Sequence, residues 1–190
     1  MTIRNLSKAA RPHSVAIFGA SPREGSVGHV VVKNIVDGGF EGAIWPVNPK
    51  YPEIAGLPCY ADAAALPAAP DLAVIVTPPP AVPGIIAELG TKGCRAAVVI
   101  TAGLTRANGL RQAMLDVARP NLFRIIGPNT VGLMIPPAKL NAGFAHLPAK
   151  PGNIALLSQS GAIATSLIDW AAANDIGFSY IVSLGDMADV

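Results

Sequence analysis

"VAIFGASPREGSVGHVVVKNIV", residues 15 to 36, holds an apolar run, a glycine-rich turn and a helix-like segment in succession. A continuous β-rich run of this kind suits a strand buried on both faces, as in a parallel sheet. A turn of this kind, opening a helix, offers backbone N–H groups to a phosphate. A dinucleotide, a nucleoside triphosphate and coenzyme A all fit it at this level. The spacing is neither G-x-G-x-x-G nor G-x-x-x-x-G-K-[ST], so the other loops must choose between them.

Four further apolar runs follow: "GAIWPV", "LAVIVT", "AAVVIT" and "FRIIG". Helix-like segments lie between most of them, over 28–37, 81–91 and 106–118, and residues 61–66 read as a single turn. The alternation predicts an α/β fold: a Rossmann-like, doubly wound parallel sheet with right-handed crossovers. From residue 127 the chain becomes rich in proline and glycine through residue 153. That stretch reads as an ordered crossing between two domains. Beyond it, "IALLS", "GAIATSLIDWAAAND" and "FSYIVSLG" predict one βαβ unit. A two-stranded sheet buries itself poorly, so the natural protein is expected to continue past Val190. The expected division is an N-terminal extension over 1–12, a first domain over 13–148 and the start of a second over 149–190.

The chain has 190 residues, is 51% hydrophobic and 14% charged, and carries a net charge of +2. This is a globular composition, and no basic run points to nucleic acid. No segment reaches the roughly 18 apolar residues of a membrane span. Cys59 and Cys94 lack metal-ligand spacing. With no signal-like N-terminus, a cytoplasmic location is expected.

In a doubly wound sheet the ligand lies at the C-terminal ends of the strands. In the first loop, Gly19 lets the chain leave the strand sharply. Ser21 and Ser26 offer hydroxyls, Arg23 a charge, and Gly28 a close approach to phosphate at the helix start. NAD-binding domains place a carboxylate after the second strand; here Val47, Asn48, Pro49 and Lys50 stand there instead. Lys50 and Arg23 suit a phosphorylated ribose, which leaves NADP or CoA. In the third loop Val76, Thr77 and Pro78 open a stiff proline ledge. The fourth, Thr101, Ala102 and Gly103, leaves its strand through a glycine.

Taken with "IIGPNTVGLMIP" (125–136) and residues 155–190, these loops resemble the NDP-forming acyl-CoA synthetases, relatives of the succinyl-CoA synthetase α subunit. The similarity runs from about residue 12 to the end. It is greatest to the bacterial version fused to a GNAT-type protein lysine acetyltransferase. The resemblance implies a CoA-binding Rossmann-like domain, followed here by the first βαβ of a flavodoxin-like succinyl-CoA synthetase domain. An ATP-grasp domain completes such proteins. Their reaction joins an acid to CoA at the expense of ATP and Mg, through an acyl phosphate and a phosphohistidine. The resemblance implies that Gly19, Ala20, Ser21, Arg23, Val47, Asn48, Lys50, Val76, Thr77, Pro78, Thr101, Ala102, Gly103, Pro128 and Asn129 contact CoA. It also implies that "SQSG", Ser158, Gln159, Ser160 and Gly161, forms a phosphate seat. Thr130 stands where many members have cysteine. His13, His29 and His146 do not match the phosphorylated histidine, so no catalytic residue is assigned. The partners implied are CoA or acyl-CoA and the remaining synthetase domains, with a homo-oligomer left open. Two other readings remain: a CoA-sensing module that regulates an acetyltransferase, and an NADP-dependent oxidoreductase domain.

Overall fold

The computed structural model describes residues 4–190. A short helix α1 (Leu6–Ala10) precedes β1 (Ser14–Phe18), α2 (Val27–Asp37) and β2 (Ala43–Val47). A small hairpin, β3 (Glu53–Ile54) and β4 (Leu57–Pro58), leads to β5 (Leu72–Ile75). Then come α3 (Val82–Lys92), β6 (Ala96–Val99), α4 (Leu110–Ala118) and β7 (Arg124–Ile126). A second hairpin, β8 (Gly132–Ile135) and β9 (Leu140–Gly143), is followed by β10 (Pro151–Ser158), α5 (Gly161–Ala173) and β11 (Phe178–Ser183).

The five expected apolar runs form one parallel sheet in the order β2-β1-β5-β6-β7. Successive side chains on a strand point to opposite faces, and here both faces are buried. Val15, Ile17, Leu72, Val74 and Val98 enter one core with Val31, Val32 and Ile35 of α2. Ala16, Phe18, Ala73, Ile75, Ala97 and Val99 enter the other with Val82, Ile86 and Leu89 of α3 and Met114 of α4. This is the doubly wound α/β fold that the sequence predicts.

The helices begin and end where local chemistry directs. Ser26 caps α2, its Oγ accepting from His29 N at 3.2 Å, and Ser160 caps α5 by accepting from Ile163 N. Gly93, with φ of 108°, stops α3. The expected helix from 106 starts only at Leu110, because Asn108 Oδ1 accepts from the N–H of Thr105 and of Leu110 and holds a turn there.

The stretch from 127 to 153 is more than a crossing. Its hairpin pairs through β8 with β11, and a four-stranded sheet β10-β11-β8-β9 results. The premise of a two-stranded second sheet is therefore wrong. The same hairpin places Leu133, Ile135, Leu140 and Ala142 on the α2 face of the first sheet. One element thus covers the first sheet and extends the second. β10 lies at an edge, and Ile154 and Leu157 on it stay exposed. Ile163, Leu167 and Trp170, spaced along the outer side of α5, are exposed as well.

The N-terminal segment is fastened at one carboxylate. Asp71 accepts from Lys8 Nζ at 2.7 Å and from His13 N at 2.9 Å. Desolvation pushes its pKa up, but the Lys8 and His13 hydrogen bonds and their charges outweigh this and hold it below 3.8. A lowered folded value means the unfolded chain binds the proton more tightly. The stabilisation is therefore complete above 3.8 and is lost as pH falls through the folded value. Asp71→Asn is expected to flatten the acid limb of thermal stability between roughly pH 5 and pH 2. Equal losses of melting temperature in wild type and variant over that range would contradict it.

Candidate functional site

The chain passes from β1 outward to β2, then returns to place β5 on the other side of β1. The order reverses between β1 and β5, and a crevice opens there at the carboxyl ends of the strands. Gly19 follows β1 with φ of 88°. A Cβ at Gly19 would lie 3.0 Å from Val76 Cγ2 and 3.2 Å from Thr77 N, so the two loops touch without a side chain between them.

The first loop is built on itself. Ser21 Oγ accepts from Arg23 N at 3.1 Å, and Ser26 Oγ donates to Arg23 O at 2.7 Å. The Ser26 hydroxyl is thus committed to the turn and the cap, whereas the Ser21 hydroxyl hydrogen stays available. Gly28 lines the cleft at this loop and also has a packing role. It is buried, and a Cβ there would sit 2.0 Å from Gly19 O. The glycine lets α2 pack on the end of β1. Its consequence for a ligand is indirect, because it aims the α2 N-terminus, with its unpaired N–H groups, into the crevice.

Asn48 ties the second loop to the first. Its Nδ2 donates to Ala20 O at 2.8 Å and its Oδ1 accepts from Lys50 N at 3.0 Å. Ala20 and Val47 are buried in the core, and Val47 O accepts from Gly19 N. Val47 and Asn48 line the cleft beside these loops, and Ala20 supports them from behind. Cys59 donates to Asn48 O, and desolvation pushes its thiol pKa up. Arg23 and Lys50 stand exposed at the rim with no ion-pair partner among the described residues.

The third and fourth loops are joined by Thr101, buried, whose Oγ1 donates to Thr77 O at 2.7 Å. Thr77 Oγ1 is buried with no partner among the described residues. Gly103, φ of 87°, passes close to Pro79. After β7 the loop reaches Asn129, φ of 59°, whose N–H donates to Thr101 O. Thr130 is buried and donates its hydroxyl to Ser183 O, so it joins the two sheets.

Three clefts adjoin along these loops. One of about 640 Å³ is lined by Gly19, Ser21, Arg23, Gly28 and Lys50. The next, about 530 Å³, shares Gly19, Arg23 and Lys50 and reaches Val76, Thr77 and Pro78. The third, about 700 Å³, shares the Val76–Pro78 ledge and extends past Thr101, Ala102 and Asn129 to Gln159 and Gly161. Together they make one trough, basic at one end, apolar along Val76 and Pro78, and polar at the other. Ser158 and Ser160 shape the far end without lining it: Ser158 Oγ accepts from Ser160 N, and Gly161 packs against Val131.

The segment after β11 carries part of the resemblance, but sequence reasoning assigned no site residue to it. Gly185 and Asp186 also line the far cleft. A Cβ on Gly185 would lie 2.2 Å from Pro128 O, which is the signal a glycine in "SLGD" carried without its partner being visible. His146 pairs with Asp169 at 2.8 Å.

An extended ligand carrying phosphates at one end fits this trough. The buried Thr77 hydroxyl, without a partner among the described residues, is a polar group that a close-lying coenzyme could engage, and Arg23 and Lys50, with no ion-pair partner among the described residues, stand at its anionic end. Fold and site thus define a doubly wound domain that takes a nucleotide-bearing coenzyme. Residues 13–136 match the CoA binding domain model, and residues 151–190 match the succinyl-CoA ligase like flavodoxin domain. The chain belongs to the CoA-binding domain family.

It is 44% identical over 187 residues to an ADP-forming acetate–CoA ligase of Methanocaldococcus jannaschii, covering 97% of this chain and 26% of that one. It is 38% identical over 194 residues to the α subunit of ADP-forming acetate–CoA ligase I of Pyrococcus furiosus, covering 98% and 42%. Among solved structures, the apo dinucleotide forming acetyl-coenzyme A synthetase 1 of Ca. Korarchaeum cryptofilum superposes with a TM-score of 0.92 at 36% identity, covering 97% of this chain and 41% of that one. The chain spans about a quarter to two-fifths of the length of these relatives. No helix among the described residues is long and apolar enough to cross a membrane.

Gly28→Ala should cost on the order of 1–3 kcal/mol, because the new methyl meets backbone that must move. Gly84 of α3 meets nothing within 4 Å, so Gly84→Ala should be neutral or stabilise by up to about 1 kcal/mol. Urea unfolding of both variants checks the contrast.

Proposed function

We propose that the trough binds CoA, with its phosphates at the α2 N-terminus between Arg23 and Lys50. The pantetheine arm then crosses the Val76–Thr77–Pro78 ledge and passes Thr101, Ala102 and Gly103 toward Asn129. The observation that carries this is the trough's continuity from two unpaired cations to a polar far end. A dinucleotide reading lacks its usual carboxylate after β2, where Asn48 is engaged in holding two loops together. Ser158, Gln159, Ser160 and Gly161 at the α5 start form a phosphate seat beside the far end. In the whole protein we assign residues 13–148 to coenzyme binding and 149–190 to the start of a ligase-like domain.

The reaction proposed for the whole protein is ADP-forming ligation of an acid to CoA, with ATP and Mg handled by other domains. The relatives named above support it. CoA is expected to bind residues 1–190 more tightly than NAD or NADP in calorimetry, and tighter binding of either dinucleotide would refute the assignment. Exposed charge pairs contribute about 0–1 kcal/mol. Lys50→Ala should therefore weaken CoA by up to about fivefold and reduce its salt dependence.

Residues 1–190 alone are expected to make no acyl-CoA from acid, CoA and ATP. Robust turnover by the purified chain would show that synthesis needs no further domain.

A further inference from the structure

The segment after β11 folds back under the first sheet. Asp189 accepts from Arg124 Nε at 2.8 Å and from Ile125 N at 3.1 Å. Ala188 N donates to Gly127 O and Asp186 N to Pro128 O, each at 2.9 Å. Arg111 donates to the carbonyls of Asp186 and Met187. The Asp189, Ala188 and Asp186 contacts converge on β7 and the loop 127–129, and Arg111 of α4 holds the same segment from the side.

At the end of that loop Asn129 takes a left-handed backbone conformation, which asparagine tolerates better than most residues. Among the described residues one side chain holds its amide: Nδ2 donates to Asp186 Oδ1 at 3.2 Å. Asn129 and Asp186 line the same cleft. Gly185 allows the approach, since any side chain would strike Pro128 O and Asn129 O.

We infer that Asp186 is a positioning residue, which turns the Asn129 amide so that its carbonyl oxygen faces the far end of the trough. The amide N–H donates to the carboxylate, which leaves Oδ1 as an acceptor for the ligand. The second structural unit thereby sets the geometry of the coenzyme site in the first. This rests on the CoA reading above.

The test separates the two ends of the ligand. CoA spans the trough, whereas 3′-phosphoadenosine 5′-phosphate reaches only its basic end. Calorimetry is expected to show that Asp186→Ala weakens CoA about three- to tenfold, as for one well-placed hydrogen bond. Affinity for 3′-phosphoadenosine 5′-phosphate should stay within about twofold. Asp186→Asn, which keeps an acceptor, should restore most of the CoA affinity. Asn129→Ala added to Asp186→Ala should cost little more, since linked residues are not additive. Unchanged CoA affinity, equal losses for both ligands, or additive losses would each overturn the assignment.

A measurement on the unsubstituted chain stands beside the variants. The Asn129 side-chain amide resonances should shift on adding CoA and not on adding 3′-phosphoadenosine 5′-phosphate. An Asn129 amide indifferent to CoA overturns the inference. Failure of CoA itself to bind overturns the CoA reading, and this inference with it.

Discussion

A five-stranded parallel sheet must bury both of its faces, and this chain supplies the covering layers unequally. On one side α3 and α4 do most of it, helped by Ala63 and Leu66 before β5. On the other α2 is the one long helix, and the hairpin 132–143 covers what α2 leaves open. Each fully buried Val, Leu or Ile contributes about 1.5–3 kcal/mol, and Leu133, Ile135 and Leu140 are nearly inaccessible. Because the hairpin is also paired to β11, covering the first sheet obliges the second sheet to form beside it. The far end of the trough exists only through that adjacency: Gln159 and Gly161 reach it from the second unit.

Much of this is legible in the chain itself. The five strands are runs of Val, Ile, Leu and Ala without alternation, which is what burial on two faces demands, and the loops after them are where a doubly wound sheet gathers its ligand. The hairpin was hidden because its strands have four residues each, flanked by prolines and glycines that look like linker, and because its partner β11 lies some 45 residues further on. The packing of Gly28 on Gly19 is not legible in the sequence, which shows that a side chain is missing and not what fills its space. Asp186 was missed altogether, since a lone carboxylate after a glycine has no local pattern. Its role depends on a loop 57 positions away.

The chemistry of the trough follows from how few charges line it. Among the described residues Arg23 and Lys50 are the Lys/Arg side chains lining the cleft at the α2 start, and both are solvated. Backbone N–H groups at a helix start are fixed by the helix and need no side-chain ordering, so they favour an anion at lower entropic cost than mobile lysines do. The close contact between Gly28 and Gly19 is what keeps those groups aimed. Under the proposed CoA reading, binding would depend on the packing between α2 and β1 more than on the rim charges.

The return of residues 184–189 to β7 has a bearing on how the molecule is made. Arg124 meets Asp189 across 65 positions of chain. A ribosome delivers the chain from its N-terminus, and domains usually fold as they emerge. Here the last strand of the first sheet is complete well before its carboxylate partner has been synthesised. The mouth of the trough around Pro128 and Asn129 therefore settles late, after the second sheet has emerged, and a nascent chain halted near residue 150 would hold the strands of the first sheet without a finished far end.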